Sequence, residues 1–181
     1  MFEDLAVIKH IKEELGDELI VLAHHYQRKE VVDCADFVGD SYVLAKEAAA
    51  SAASKIVFCG VHFMAESARI LAKPGQRVFM PDTRAGCPMA DMADEMDARV
   101  AYERICEVTG RTVVPITYVN STADVKAFVG TAGGLTCTSA NAPAAFNWAR
   151  EQGEVILFLP DEYLGVNTAR RQQGDEGIVH W

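Results

Sequence analysis

The sequence predicts an α/β protein built on parallel sheet, and three observations carry that expectation. Short apolar runs rich in β-branched and aromatic residues recur along the chain, without the alternation that a sheet with one wet face would show. Between them lie longer stretches with helical periodicity. The strand-then-helix order repeats, which calls for parallel pairing through right-handed crossovers.

Taken in order, the elements are as follows. Leu5, Ile8, Ile11 and Leu15 recur at helical spacing among charges, an amphipathic opening helix. Leu19–Ala23, Lys55–Cys59, Arg77–Pro81, Thr112–Ile116, Leu135–Cys137 and Val155–Leu159 read as buried strands. Pro115 weakens the fourth of these, because it has no N–H for a ladder. Val43–Ala53, Phe63–Leu71, Asp91–Val108, Ala142–Arg150 and Tyr163–Gln172 read as helices. An internal echo overlies this pattern: Ala35-Asp-Phe-Val-Gly39 resembles Lys126-Ala-Phe-Val-Gly130, an offset of 91 residues. Phe58–Val61 and Phe79–Asp82 are likewise echoed by Thr136–Ser139 and Phe158–Asp161. Two copies of one α/β unit are therefore expected, over residues 1–110 and 111–181, with the boundary near Gly110.

Composition narrows the function. The 181 residues are 50% hydrophobic, with 17 Lys+Arg against 26 Asp+Glu and a net charge of -9. A chain of this length buries enough surface to fold without disulfides or metal. No basic run exceeds a pair, which argues against nucleic acid or an anionic membrane as partner and leaves small molecules. No apolar run reaches the roughly 18 residues of a membrane span, and charges interrupt the N-terminus where a signal peptide would be apolar. A cytoplasmic protein is expected, with its five cysteines reduced and no CxxC spacing to suggest a zinc ribbon. The dinucleotide, phosphate-loop, zincin and nucleophile-elbow motifs are absent.

In parallel α/β units ligands gather beyond the carboxyl ends of the strands. The polar residues stand there: His24-His25-Tyr26-Gln27, Gly60-Val-His62, Pro81 to Pro88, Tyr118-Val-Asn120 and Thr138-Ser-Ala-Asn141. These loops would rim a common cleft if the two units packed with strand ends facing. Taken singly, a His or Tyr at a strand end is more often a packing residue than a catalyst, and it is the clustering that argues for function. Gly39-Asp40-Ser41 and Gly86 read as turn chemistry. Asn120-Ser-Thr122 matches a glycosylation pattern that a cytosolic chain would not use. Cys34, Cys59, Cys106 and Cys137 lie in or beside apolar runs, as small buried hydrophobes do. Cys87 stands instead in a Gly-Cys-Pro turn, from which a thiol can reach a metal or a substrate.

Read together, Leu22-Ala-His-His-Tyr-Gln27, Ala35-Asp-Phe-Val-Gly-Asp-Ser41, Val57-Phe-Cys-Gly-Val-His-Phe-Met-Ala-Glu66, Pro81-Asp82, Ala85-Gly-Cys87, Tyr118-Val-Asn120, Cys137-Thr-Ser-Ala-Asn141 and Phe158-Leu-Pro-Asp161 resemble the quinolinate synthase family. The motifs run in order and at the family's spacing from about residue 19 to the end. The resemblance implies condensation of iminoaspartate with dihydroxyacetone phosphate to quinolinate in NAD biosynthesis, on a [4Fe-4S] cluster. It implies three-layer α/β units about a pseudo-threefold axis, two of the three present here, each unit giving one cysteine to the cluster. Cys87 is then the first ligand, whereas Cys59 and Cys137 match positions that are not ligands. Three cysteines leave one iron open as a Lewis acid. His24, Tyr26, Ser41, Tyr118, Asn120 and Ser139 match active-site positions, with Tyr26 and Tyr118 as proton-transfer groups and the other four holding substrate. An aspartate oxidase or dehydrogenase supplying iminoaspartate is the implied upstream partner.

The departure from the family is C-terminal. Val179-His180-Trp181 matches the stretch just before the second cluster cysteine, and the alternative register puts Gly177 at that position. Either way the second ligand is missing, as is the third unit with its cysteine and catalytic Glu. The chain by itself is expected to be an inactive fragment of the enzyme. The other reading is a two-unit, non-catalytic binding module for small anionic metabolites.

Overall fold

A computed structural model describes residues 2–173. It divides into two compact units, Met1–Gly86 and Cys87–Trp181. The first opens with α1 (Phe2–Leu15), then β1 (Leu19–His24), a single turn α2 (Lys29–Val32), β2 (Phe37–Gly39), α3 (Ser41–Ala50), β3 (Lys55–Cys59), α4 (His62–Leu71) and β4 (Arg77–Phe79). Every pairing is parallel, in the order β2-β1-β3-β4. Leu22, Ile56, Phe58 and Leu44 are sealed from solvent, while Val21, Ala23 and Cys59 form a second apolar cluster with Val31 and Ala35. Burying such side chains contributes about 1.5–3 kcal/mol each, which is what holds α3 and α4 to the sheet. Lys12 clasps α1 to the rest of the unit, bonding the Cys34 carbonyl and Asp36, each at 2.7 Å. Asp36 in turn accepts the Val21 N–H at 2.8 Å.

The second unit contains a 3-10 turn (Ala90–Met92), α5 (Glu95–Thr109), β5 (Val113–Tyr118), α6 (Ala123–Thr131), β6 (Leu135–Cys137), α7 (Ala142–Gln152), β7 (Val155–Leu159) and α8 (Glu162–Gln173). Its parallel sheet has the order β6-β5-β7. Val114 and Ile116 pack with Phe146, Ala149 and Ala169 of α7 and α8. On the other side Ala98 of α5 packs with Val125, Phe128 and Val129 of α6. The unit is thus a sheet between two helical layers, and β2-β1-β3 in the first unit has the same order as β6-β5-β7.

The parallel α/β expectation is borne out, and all six anticipated strands form. Among the described residues α2, β2, α6 and a 3-10 turn over Gly16–Glu18 were not anticipated. The Phe-Val-Gly echo aligned β2 with part of α6, a strand with a helix, so that register of the repeat is incorrect; strand order pairs β2 with β6 and β3 with β7. The signal for α6 was present, since Thr122 caps the Val125 N–H and Val125, Phe128 and Val129 recur at helical spacing, all buried. Pro115 does sit in a central strand. Its ladder to β6 begins one residue later, at Ile116, so the missing N–H costs no pair there. The division between units falls at Gly86, ahead of the expected Gly110, and α5 packs on β5 and α6 of the second unit. Gly110 instead ends α5, in the left-handed conformation (φ 62°) that closes a helix. Gly177 and Val179-His180-Trp181 lie outside the described residues.

Candidate functional site

In the first unit, parallel pairing brings the polar strand ends to one edge. His24 pairs with Gly39 across β1 and β2, and the His25 N–H donates to the Gly39 carbonyl at 3.2 Å. This sets the His24 loop beside Asp40 and Ser41 at the start of α3. Asp40 caps that helix, its carboxylate accepting the N–H groups of Tyr42 and Val43 at 3.0 and 2.9 Å. Ser41 is buried in the first turn, near the positive end of the helix dipole.

His24 is only 6% exposed. Its ring meets His25 at 4.2 Å and Tyr26 at 3.9 Å between centroids. Burial pushes the imidazole pKa down, the neighbouring His25 lowers it further, and Asp40 pulls it back up. The Tyr26 backbone N–H donates to His24 Nδ1 at 3.4 Å, which in the neutral ring leaves the proton on Nε2. Tyr26 is 53% exposed, yet its hydroxyl reaches inward to Met64 Sδ at 3.9 Å. His24, Tyr26 and Ser41 therefore gather at the carboxyl edge of one sheet. The loop beyond β4 joins them through the Ala85 carbonyl, which accepts the His62 N–H at 2.8 Å, while Asp82 pairs with Arg84 at 3.1 Å.

In the second unit Tyr118 ends β5, and its phenol is surrounded. Burial raises its pKa, a hydrogen bond with Ser139 acts the other way, and Asp161, Cys137 and Cys87 raise it again. The hydrogen bond joins two of the candidate residues, Tyr118 and Ser139, at the ends of β5 and β6, within electrostatic reach of Cys87. Asn120 lies partly buried in the turn from β5 into α6. The next residue, Ser121, is fully buried and hydrogen-bonded to Thr117 at 2.9 Å. The Asn120-Ser-Thr122 stretch is thus a helix entry.

Two further carboxylates act electrostatically on these groups, Asp40 on His24 and Asp161 on Tyr118. Each precedes a helix, Asp40 accepting the Tyr42 and Val43 N–H groups and Asp161 that of Leu164. An Asp just before a helical run is the legible mark of that capping position. Cys59 and Cys137 are buried, and burial raises both thiols, Cys137 to about 11, which makes them poor thiolates. Cys87 is partly exposed. Among the described residues no three His, Cys, Asp or Glu side chains gather to hold a metal ion. One thiolate does not hold a cubane cluster, so the described residues do not by themselves fit one. A shallow depression along α6 toward its C-terminal end, lined by Arg99, Tyr102, Phe128 and Thr131, takes no part in either edge.

Fold and side chains define the class: parallel α/β units with imidazole, hydroxyl and thiol groups at the strand ends, where such folds bind small molecules. The family model described as Quinolinate synthetase A protein matches residues 6–181. The chain is 56% identical over 165 residues to the quinolinate synthase of Streptomyces coelicolor, covering 90% of this chain and 42% of that protein. It is 50% identical over 175 residues to that of Halobacterium salinarum (96% and 47% covered) and 54% over 160 residues to that of Bacillus pumilus (88% and 43%). The chain belongs to the quinolinate synthetase A family, as its motifs implied, and spans less than half the length of these relatives.

Proposed function

We propose that this chain forms two α/β units of a quinolinate synthase, which condenses iminoaspartate with dihydroxyacetone phosphate to quinolinate for NAD biosynthesis. The observation that carries the reading is the family match over residues 6–181, in a chain whose Tyr118 and Ser139 are hydrogen-bonded at one sheet edge. Tyr118, with its phenol pKa held up by burial, stays protonated at neutral pH and can give a proton to a leaving oxygen. Tyr26 offers a second hydroxyl. His24, neutral with its proton on Nε2, donates to a carboxylate or phosphate oxygen, and Ser41, Asn120 and Ser139 supply further hydrogen bonds.

In this reading Cys87 is one ligand of a [4Fe-4S] cluster. The other two cysteines, and a third unit completing a pseudo-threefold arrangement, belong to the part of the relatives' length that this chain does not span. The 181 residues alone would then be inactive. The reaction belongs in the cytoplasm, beside an oxidase or dehydrogenase that makes iminoaspartate. No helix among the described residues is long and apolar enough to cross a membrane.

The test is anaerobic purification of the natural protein that contains this sequence, with iron, sulfide and quinolinate formation measured together. Cys87→Ser is expected to lose cluster and activity. A variant that kept iron, sulfide and turnover would sink the ligand assignment. Tyr118→Phe should keep its iron and lose about a hundredfold in kcat. A native mass equal to the 19.8 kDa of this chain would favour the non-catalytic binding module instead.

A further inference from the structure

We propose that Met64 is a positioning residue for Tyr26, its thioether sulfur receiving the Tyr26 hydroxyl and fixing the phenol at the edge of the first sheet. The inference rests on the reading above that Tyr26 serves the reaction. Met64 lies in the first turn of α4, only 3% exposed, although Tyr26 itself is half exposed. A tyrosine on the surface normally turns its hydroxyl to water. Here the hydroxyl points back to Met64 Sδ at 3.9 Å, a distance suited to the large, polarisable sulfur.

The sulfur is itself held in place. A Cβ on Gly60 would lie 3.0 Å from Met64 Sδ and 2.9 Å from the Phe58 ring, so the bare glycine after β3 gives the thioether its seat. The other side of the phenol is fixed by the His24 ring, 3.9 Å away between centroids, and by the Tyr26 N–H bond to His24 Nδ1. Tyr26 is thereby tied to the ends of two strands, its backbone to β1 and its hydroxyl to the helix that follows β3. An unbranched side chain with a soft acceptor at its centre makes both the packing contact and the polar one, and leucine makes only the first.

The test is a double-mutant cycle on the cofactor-loaded natural protein, with Met64→Leu, Tyr26→Phe and the pair. Leucine keeps the volume, so the thermal midpoint and iron content should stay near those of the parent. Met64→Leu is expected to lower kcat about tenfold with KM little changed, because a misplaced proton donor costs rate rather than binding. In the Tyr26→Phe background the same change should cost nothing further. If Met64→Leu is silent while Tyr26→Phe is damaging, the positioning role is overturned and the role of Tyr26 stands. An equal loss from Met64→Leu in both backgrounds overturns it too, since Met64 would then act by packing alone. A silent Tyr26→Phe overturns both readings.

Discussion

The His24 imidazole shows how a single side chain couples stability to pH. Burial depresses its folded-state pKa below 6.5, with His25 adding to the effect. Above pH 6.5 the ring is neutral in the folded and unfolded chain alike, so its folded environment costs nothing. As pH falls below that value the unfolded chain takes up the proton first, and stability is lost until the folded ring protonates as well. Urea midpoints measured at pH 7 and pH 5.5 should therefore fall toward acid, with a shallower fall in His24→Gln. An unchanged slope in that variant would mean His24 is not held neutral by the fold. His24 and Tyr26 could be picked out from sequence because they follow an apolar run directly. Met64 could not, because a methionine in an apolar helix looks like core until the Tyr26 hydroxyl is seen against it.

At the scale of elements, the seam between β5 and β6 leaves Gly134 no room for a side chain. A Cβ on Gly134 would fall 1.9 Å from the Pro115 carbonyl oxygen, and backbone cannot step aside as a side chain would. Gly134→Ala should destabilise the protein by more than about 2 kcal/mol. Thr122→Ala, which removes only the cap of α6, should cost about 1 kcal/mol. Chemical denaturation of the two variants separates these sizes, and a Gly134→Ala no worse than Thr122→Ala would mean the seam relaxes. Strands such as Val155–Leu159 were legible because their apolar runs are unbroken. Phe37–Gly39 was not, since three residues flanked by Asp36 and Asp40 carry too little pattern. The Phe-Val-Gly likeness then set this strand against part of the helix over Ala123–Thr131, whose buried residues recur every three and four positions.

For the whole molecule, the division at Gly86 falls in an exposed loop. Residues 81–84 and 86 are exposed, and the Arg84 side chain, paired with Asp82, is 89% exposed. Limited trypsin digestion should cut first after Arg84, and mass spectrometry of the earliest fragments reads this directly. A first cut within α5 would contradict the packing of that helix. The compact units divide ahead of the Gly110 boundary read from sequence, because Gly110 closes a helix, and a helix-closing glycine looks like a linker until one sees which sheet the helix covers. The two outer strands of the first unit, β2 and β4, are three residues each. Pro74 and Pro81 flank β4 in the chain, and neither can donate a ladder bond. A stray strand approaching either margin would find room for few hydrogen bonds before its template ended. Short margins of this kind let an open sheet stay in solution at high concentration without recruiting its neighbours into a fibre.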